Sequence, residues 1–182
     1  MKALTLLKPW SWCITHLDKR IENRTWKPPQ SIIGTRIAIH AGKGLDDFCR
    51  VWLRARGLFA DDLPDEAYDG GVIVATAVVE GYVYNSKDKW FTGPVGWVLR
   101  DVDVLPCGVP CRGMQGLWPV PTDIERWITP ERQCIGYGIY IGKCANQAGS
   151  PWSPYWCPRC NALRLDTIDS SLKDIASQNV SL

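Results

Sequence analysis

No run of apolar residues in this chain approaches the roughly 20 that a membrane helix needs. Its opening, from Met1 to Trp10, meets a proline and a tryptophan before any signal-peptide core has formed. The expectation is a cytoplasmic protein with no membrane partner. Internal repeats and low-complexity tracts are missing as well, which excludes solenoid and fibrous architectures. A strong charge of one sign is also missing: 21 Lys and Arg stand against 19 Asp and Glu, a formal net charge of +2. That is too small to mark a nucleic-acid protein by itself, because such domains often carry a marked basic excess. The eight cysteines, in a chain expected to stay in a reducing compartment, argue against a disulfide framework and for free or metal-bound thiols.

What the chain does have is enough material for one ordinary domain with a modest appendage: 182 residues, 46% hydrophobic and 22% charged. Its charges are segregated. Met1 to Lys43 holds eight Lys or Arg against Asp18 and Glu22, whereas residues 44 to 70 hold seven acids against three arginines. Ten tryptophans recur beside prolines and cations, as in Pro9-Trp10, Arg24-Thr25-Trp26 and Lys89-Trp90. Most should supply buried area, and a minority are candidates to stack on a ligand.

Hydrophobic spacing divides the chain into short strands with helices between them. Lys2 to Leu7 reads as a strand and Ser11 to Leu17 as a short helix behind Pro9. Ile32 to Ala41 reads as a strand after the turn-prone Lys27-Pro28-Pro29-Gln30. Apolar residues at 45, 48, 49, 52 and 53, with Gly57 after the last, predict a helix from Leu45. Val72 to Val79 is a β-branched run fit for a buried strand, with Tyr82 to Tyr84 a candidate extension. Val95 to Val104 and Gly113 to Val120 read as the last strands, with Cys107 to Cys111 a loop between them. Trp118-Pro119-Val120-Pro121 closes this unit, which gives a domain over 1–121 and an extension over 122–182. The extension reads as a short helix near Ile124 to Trp127, a strand over Ile135 to Ile141 and a helix from about Ala162 to Ala176.

The chemistry concentrates in Lys19-Arg20-Ile21-Glu22-Asn23-Arg24-Thr25-Trp26. On a strand, Arg20, Glu22 and Arg24 would share one face. An acid flanked by cations is either a salt-bridged surface or a cleft floor. In the second case Glu22 would orient Arg24 or accept from a base, Lys19 would supply a point charge, and Arg24 would present its planar fork to a phosphate or base edge. Lys19 and Arg24 are then expected to be partly exposed on the cleft wall. Trp10 and Trp26 flank this element and are the candidate stacking rings. His40, near the end of a strand, is either a satisfied structural histidine or an acid–base group.

Several of these stretches, taken in order, resemble the ASCH family of the PUA-like superfamily. They are Ala3-Leu4-Thr5-Leu6 with Lys8-Pro9-Trp10-Ser11-Trp12, then Lys19 to Trp26, then Gly34 and Ile37-Ala38-Ile39-His40-Ala41, then Gly71 to Ala75, Gly96-Trp97-Val98-Leu99 and Gly116-Leu117-Trp118. The likeness covers roughly 1–121. It implies an α+β fold, a PUA-like mixed β-barrel with flanking helices, followed here by the small cysteine-containing extension. It also implies a cleft lined by a K-x-x-E-x-R element, matched by Lys19, Glu22 and Arg24. Members are associated with RNA or DNA binding, with ribonuclease activity and with hydrolysis of the acetyl amide of N4-acetylcytidine. The resemblance therefore leaves two expectations. One is a binding module for RNA, DNA or a modified nucleoside, using Trp10, Lys19, Glu22, Arg24 and Trp26. The other is a hydrolase with Lys19, Glu22 and His40 as its catalytic groups. The amidohydrolase members carry a threonine nucleophile three residues after the lysine; this chain has Glu22 there, and Thr25 would face away from Glu22 and Arg24.

Cys157-Pro158-Arg159-Cys160 is a C-x-x-C knuckle at the start of a predicted helix. With Cys134 and Cys144 it would make a four-thiolate structural zinc site, since thiolates on a turn of this length can reach one tetrahedral ion. Free thiols and a redox pair are the competing readings, the last without a thioredoxin-like setting. The extension is also a candidate surface for a protein partner.

Overall fold

The computed structural model describes residues 1–58 and 63–129, without the side chains at 106, 107, 126 and 127. The C-terminal readings, including the strand from Ile135, the helix from Ala162 and the cysteines Cys134, Cys144, Cys157 and Cys160, lie outside the described residues. The first compact unit runs Met1–Ile128.

This unit is α+β. Strands β1 (Lys2–Lys8), β2 (Ile21–Arg24), β3 (Arg36–Leu45), β4 (Val72–Val83), β5 (Val95–Pro110) and β6 (Leu117–Pro119) form one six-stranded sheet in the order β2-β5-β4-β3-β1-β6. Helices α1 (Trp10–His16), α2 (Cys49–Ala55) and α3 (Thr122–Ile128) flank it. The sheet is mixed because β1 and β3 run parallel, with Leu4 opposite Ile39, while the other pairings are antiparallel. Parallel neighbours cannot be joined by a tight turn, and the required crossover is the stretch that carries α1 and β2.

Alternation along the strands separates two packed layers. Leu4, Leu6, Ile37 and Ile39 enter a core with Ile14, Val79 and Trp97. Ala3 and Ala38, which point the other way, join Ile73, Trp118, Val120 and Ile128. Ile128 is fully buried, so α3 packs with the sheet although it lies beyond the expected boundary at 121. A third cluster, of Cys13, Ile21, Leu53, Leu63, Ala67 and Trp90, with Trp10 and Trp52 against it, fills the space between α1, α2 and β2.

Three expectations are corrected. The sheet is not a closed barrel: among the described residues β2 and β6 are edges, and no backbone ladder joins them. The seam near β2 is bridged by a side chain, since Arg24 on β2 donates from Nη2 to the Thr5 carbonyl on β1 at 2.8 Å. The helix expected from Leu45 begins at Cys49 instead. Leu45 ends β3, and Asp46 forms the turn between them, its Oδ1 accepting from the Phe48 N–H. Gly57, at φ +62°, follows the end of α2 in the left-handed conformation that glycine adopts without steric cost. The loop expected over Cys107 to Cys111 is largely strand, because β5 continues to Pro110 and pairs there with Val72. Among the described residues no helix is long and apolar enough to cross a membrane.

Candidate functional site

α1 ends at His16, and Asp18 adopts a positive φ of 56° that turns the chain sharply. Aspartate is among the few residues that tolerate this region. Lys19 follows, with its backbone N–H on the Cys13 carbonyl, and its side chain turns inward. Its ammonium donates to the Ile21 carbonyl at 2.6 Å and to Glu22 Oε2 at 2.5 Å. Lys19 is 2% exposed and Glu22 6%, so Lys19 is not the partly exposed cation expected from the sequence. The other carboxylate oxygen of Glu22 lies 3.3 Å from Arg24 Nε. That contact is an ion pair without hydrogen-bond alignment, and the buried Nε has no hydrogen-bond partner. One carboxylate thus lies between two cations, leaving the triad one positive charge in excess. An ion pair out of water is stable only where its remaining donors and acceptors are also met, and the Ile21 and Thr5 carbonyls meet part of that requirement.

Around the triad stand three indoles. Trp10 donates from Nε1 to Asp46 Oδ2 at 2.9 Å, which fixes its ring at the start of α1. Trp52 of α2 meets Trp10 edge to face at 5.4 Å between centroids and stacks on Trp90 at 5.7 Å. The Lys19 ammonium lies 5.9 Å from the Trp10 centroid, at the limit of a cation–π contact. Asn23 fixes the opposite wall: its Nδ2 donates to the Trp90 carbonyl, and its Oδ1 accepts from the Thr92 N–H. These groups enclose a cavity of about 380 Å³, within the range typical of small-molecule sites. Phe48, 79% exposed, and Leu7, 50% exposed, line its outer part.

A second cavity, of about 860 Å³, shares Leu7 and Arg24 with the first. His40 lines it, not the smaller one. The ring is 2% exposed and packs edge to face on Trp118. Its Nε2 is 3.0 Å from the Cys111 carbonyl, and its Nδ1 is buried without a partner. Burial pushes the His40 pKa below its ordinary value. In the neutral ring, Nε2 is then the protonated nitrogen that donates to the carbonyl.

The structure therefore brings Trp10, Lys19, Glu22 and Arg24 together and separates two other candidates from them. Trp26 packs edge to face on Trp97 at 4.7 Å, and its carbonyl accepts from the Trp97 indole. It lines neither cavity. His40 belongs to the layer of Ala38 and Trp118. Arg20 spends its guanidinium on the Ile14 and Lys19 carbonyls and on Asp18. Sequence reasoning missed Trp52, Trp90, Asn23 and Asp46 as walls of the cavity. Of these, only the Lys89-Trp90 pair had drawn attention as an aromatic beside a cation. Among the described residues no group of three or more His, Cys, Asp or Glu is placed to hold a metal. No protein-family model and no curated protein matches the chain.

Proposed function

We propose that this is a nucleic-acid- or nucleotide-binding protein of the ASCH type, within the PUA-like superfamily, that takes a nucleobase into the smaller cavity. The observation that carries the reading is a buried carboxylate held between Lys19 and Arg24 beneath the Trp10, Trp52 and Trp90 rings. A base is flat, apolar on its faces and polar along its edge. The partly exposed indoles, Trp10 and Trp52, receive the faces, at about 1–3 kcal/mol per stacked base. The Lys19–Glu22–Arg24 row offers cationic donors and an anionic acceptor to the edge, and such charge-assisted bonds are the stronger kind.

The covalent amidohydrolase reading of the same cleft needs a nucleophile beside Lys19. The residue three positions on is Glu22, already paired, and Thr25 is exposed beyond the end of β2. This favours capture over turnover.

The test is a screen of ordinary and modified nucleosides and short RNA and DNA strands against the full chain, by thermal shift with mass spectrometry of the recovered ligands. Binding of an unchanged ligand that is lost in Trp10→Ala supports the proposal. Release of an acetyl group or strand cleavage would replace it with the hydrolase, and absence of binding to every member would reject it.

A further inference from the structure

The larger cavity differs chemically from the one beside it. Three cations line it, Arg24, Lys43 and Arg112, and no carboxylate does. Lys43 and Arg112 are exposed, and neither has an ion-pair partner among the described residues. Much of the remaining lining is backbone, because glycines recur along both banks, at 42 and 44 on β3 and at 113 and 116 after β5. Two of these are required by close approach. A Cβ on Gly42 would come within 2.8 Å of the Leu6 carbonyl oxygen, and one on Gly113 within 2.3 Å of His40 Cε1. His40 supports this floor from beneath through its bond to the Cys111 carbonyl.

A basic cavity with a bare backbone floor suits a bulky anion that must come close, and guanidinium and ammonium groups suit phosphate oxygens. Its position gives the anion an identity. The two cavities share Leu7 and Arg24, so a ligand whose base fills the smaller one extends its sugar toward that shared edge. We infer that the larger cavity is the phosphate subsite of the same ligand, with Lys43 and Arg112 on the phosphate, so that the cargo is a nucleotide or single strand and not a free nucleoside. This rests on the reading of the smaller cavity as a base pocket.

The experiment measures affinities of the full chain for ribonucleosides, their 5′- and 3′-monophosphates, the base-free ribose phosphate, and short mixed-sequence RNA and DNA strands, over a range of salt. It uses the native protein, the double variant Lys43→Ala with Arg112→Ala, and the charge-keeping pair Lys43→Arg with Arg112→Lys. Phosphorylated ligands should bind at least about tenfold tighter than the matching nucleosides at low salt, and the alanine pair should abolish that difference. For a single strand it should also reduce the slope of log affinity on log salt by about 1.4, the effect of two lost phosphate contacts. The charge-keeping pair should restore most of both. Nucleoside binding with no gain from phosphate would overturn the subsite and leave the base pocket standing. Phosphorylated ligands that bind through Lys43 and Arg112 with the same affinity whether or not they carry a base would leave an anion site in the larger cavity but overturn its reading as the subsite of a base-bound ligand. Affinities and salt slopes unchanged in the alanine pair, or no binding by any ligand, would overturn the subsite. A gain from monophosphates alone identifies a nucleotide as cargo, and a further gain with length identifies a strand.

Discussion

In the smaller cavity the charges are buried and paired, with Lys19 and Glu22 both under a tenth exposed. In the larger one Lys43 and Arg112 stand in solvent, without ion-pair partners among the described residues. The two lie side by side and share Arg24, yet they use charge for different ends. A desolvated ion pair holds geometry at a cost that the rest of the fold must offset. A solvated cation adds almost nothing to stability and remains free to meet a partner. Mutations of the paired charges in the first region should therefore act on the fold as well as on binding, and mutations of the solvated cations in the second on binding alone.

The largest effect should come from Glu22→Ala, which leaves the Lys19 ammonium buried without its carboxylate. We expect a loss of about 3–5 kcal/mol in denaturant unfolding, with much of it regained when Lys19 is also replaced by Met. A loss below about 1 kcal/mol would show that the pair is effectively solvated and would collapse the contrast.

Trp90→Ala should cost a comparable amount, about 3–5 kcal/mol, because the ring is 1% exposed. Its informative counterpart is Phe48→Ala. That ring is 79% exposed at the mouth of the same cavity, so its removal should change stability by no more than about 0.5 kcal/mol. If it stacks on a bound base, affinity should fall by about 1–3 kcal/mol. Equal stability losses in the two variants would mean that the rim and the floor of the cavity are not distinct.

A smaller effect should appear with pH. Burial lowers the His40 pKa in the folded state, so the unfolded chain takes up a proton first as pH falls. Its contribution to stability is full above the unfolded value of about 6.5 and is lost as pH drops from there toward the folded pKa. Unfolding curves at pH 7.5 and 5.5 should show this loss in the native chain and less of it in His40→Gln. A decline of the same size in both would assign it to other groups. The smallest effect is expected for Lys43→Ala with Arg112→Ala, within about 0.5 kcal/mol of the native stability. A clear drop in melting temperature would show that these side chains serve the fold.

The strands were legible wherever β-branched residues ran together: Val72 to Val79 lies within β4, and Val95 to Val104 within β5. Beyond them, Cys107 to Cys111 read as a loop, yet the backbone goes on pairing as far as Pro110 because β4 offers a long partner. The charged element was legible as a row of residue types, since Lys19, Glu22 and Arg24 are close in sequence. Its burial was not, because that depends on the left-handed turn at Asp18 and on walls brought from α2 and from the residues before β5. Trp52 and Trp90 lie tens of residues away, and local spacing gives no sign that their rings will stack. Trp10 and Trp26 looked equivalent on either side of the element. They part because Trp10 opens a helix whose turn is tied to Asp46, whereas Trp26 follows β2 onto Trp97, in the main core.

The three indoles of the smaller cavity carry one more consequence, an optical one. Trp10 and Trp52 meet at 86° and Trp52 and Trp90 at 24°, with centroids 5.4 and 5.7 Å apart. Chromophores so close share their excited states, and the circular dichroism of such a set depends on the mutual orientation of its rings. A flat aromatic guest seated against Trp10 or Trp52 would join the set. The pocket therefore contains its own reporter, and filling it should change the aromatic ellipticity and quench the emission without any attached dye.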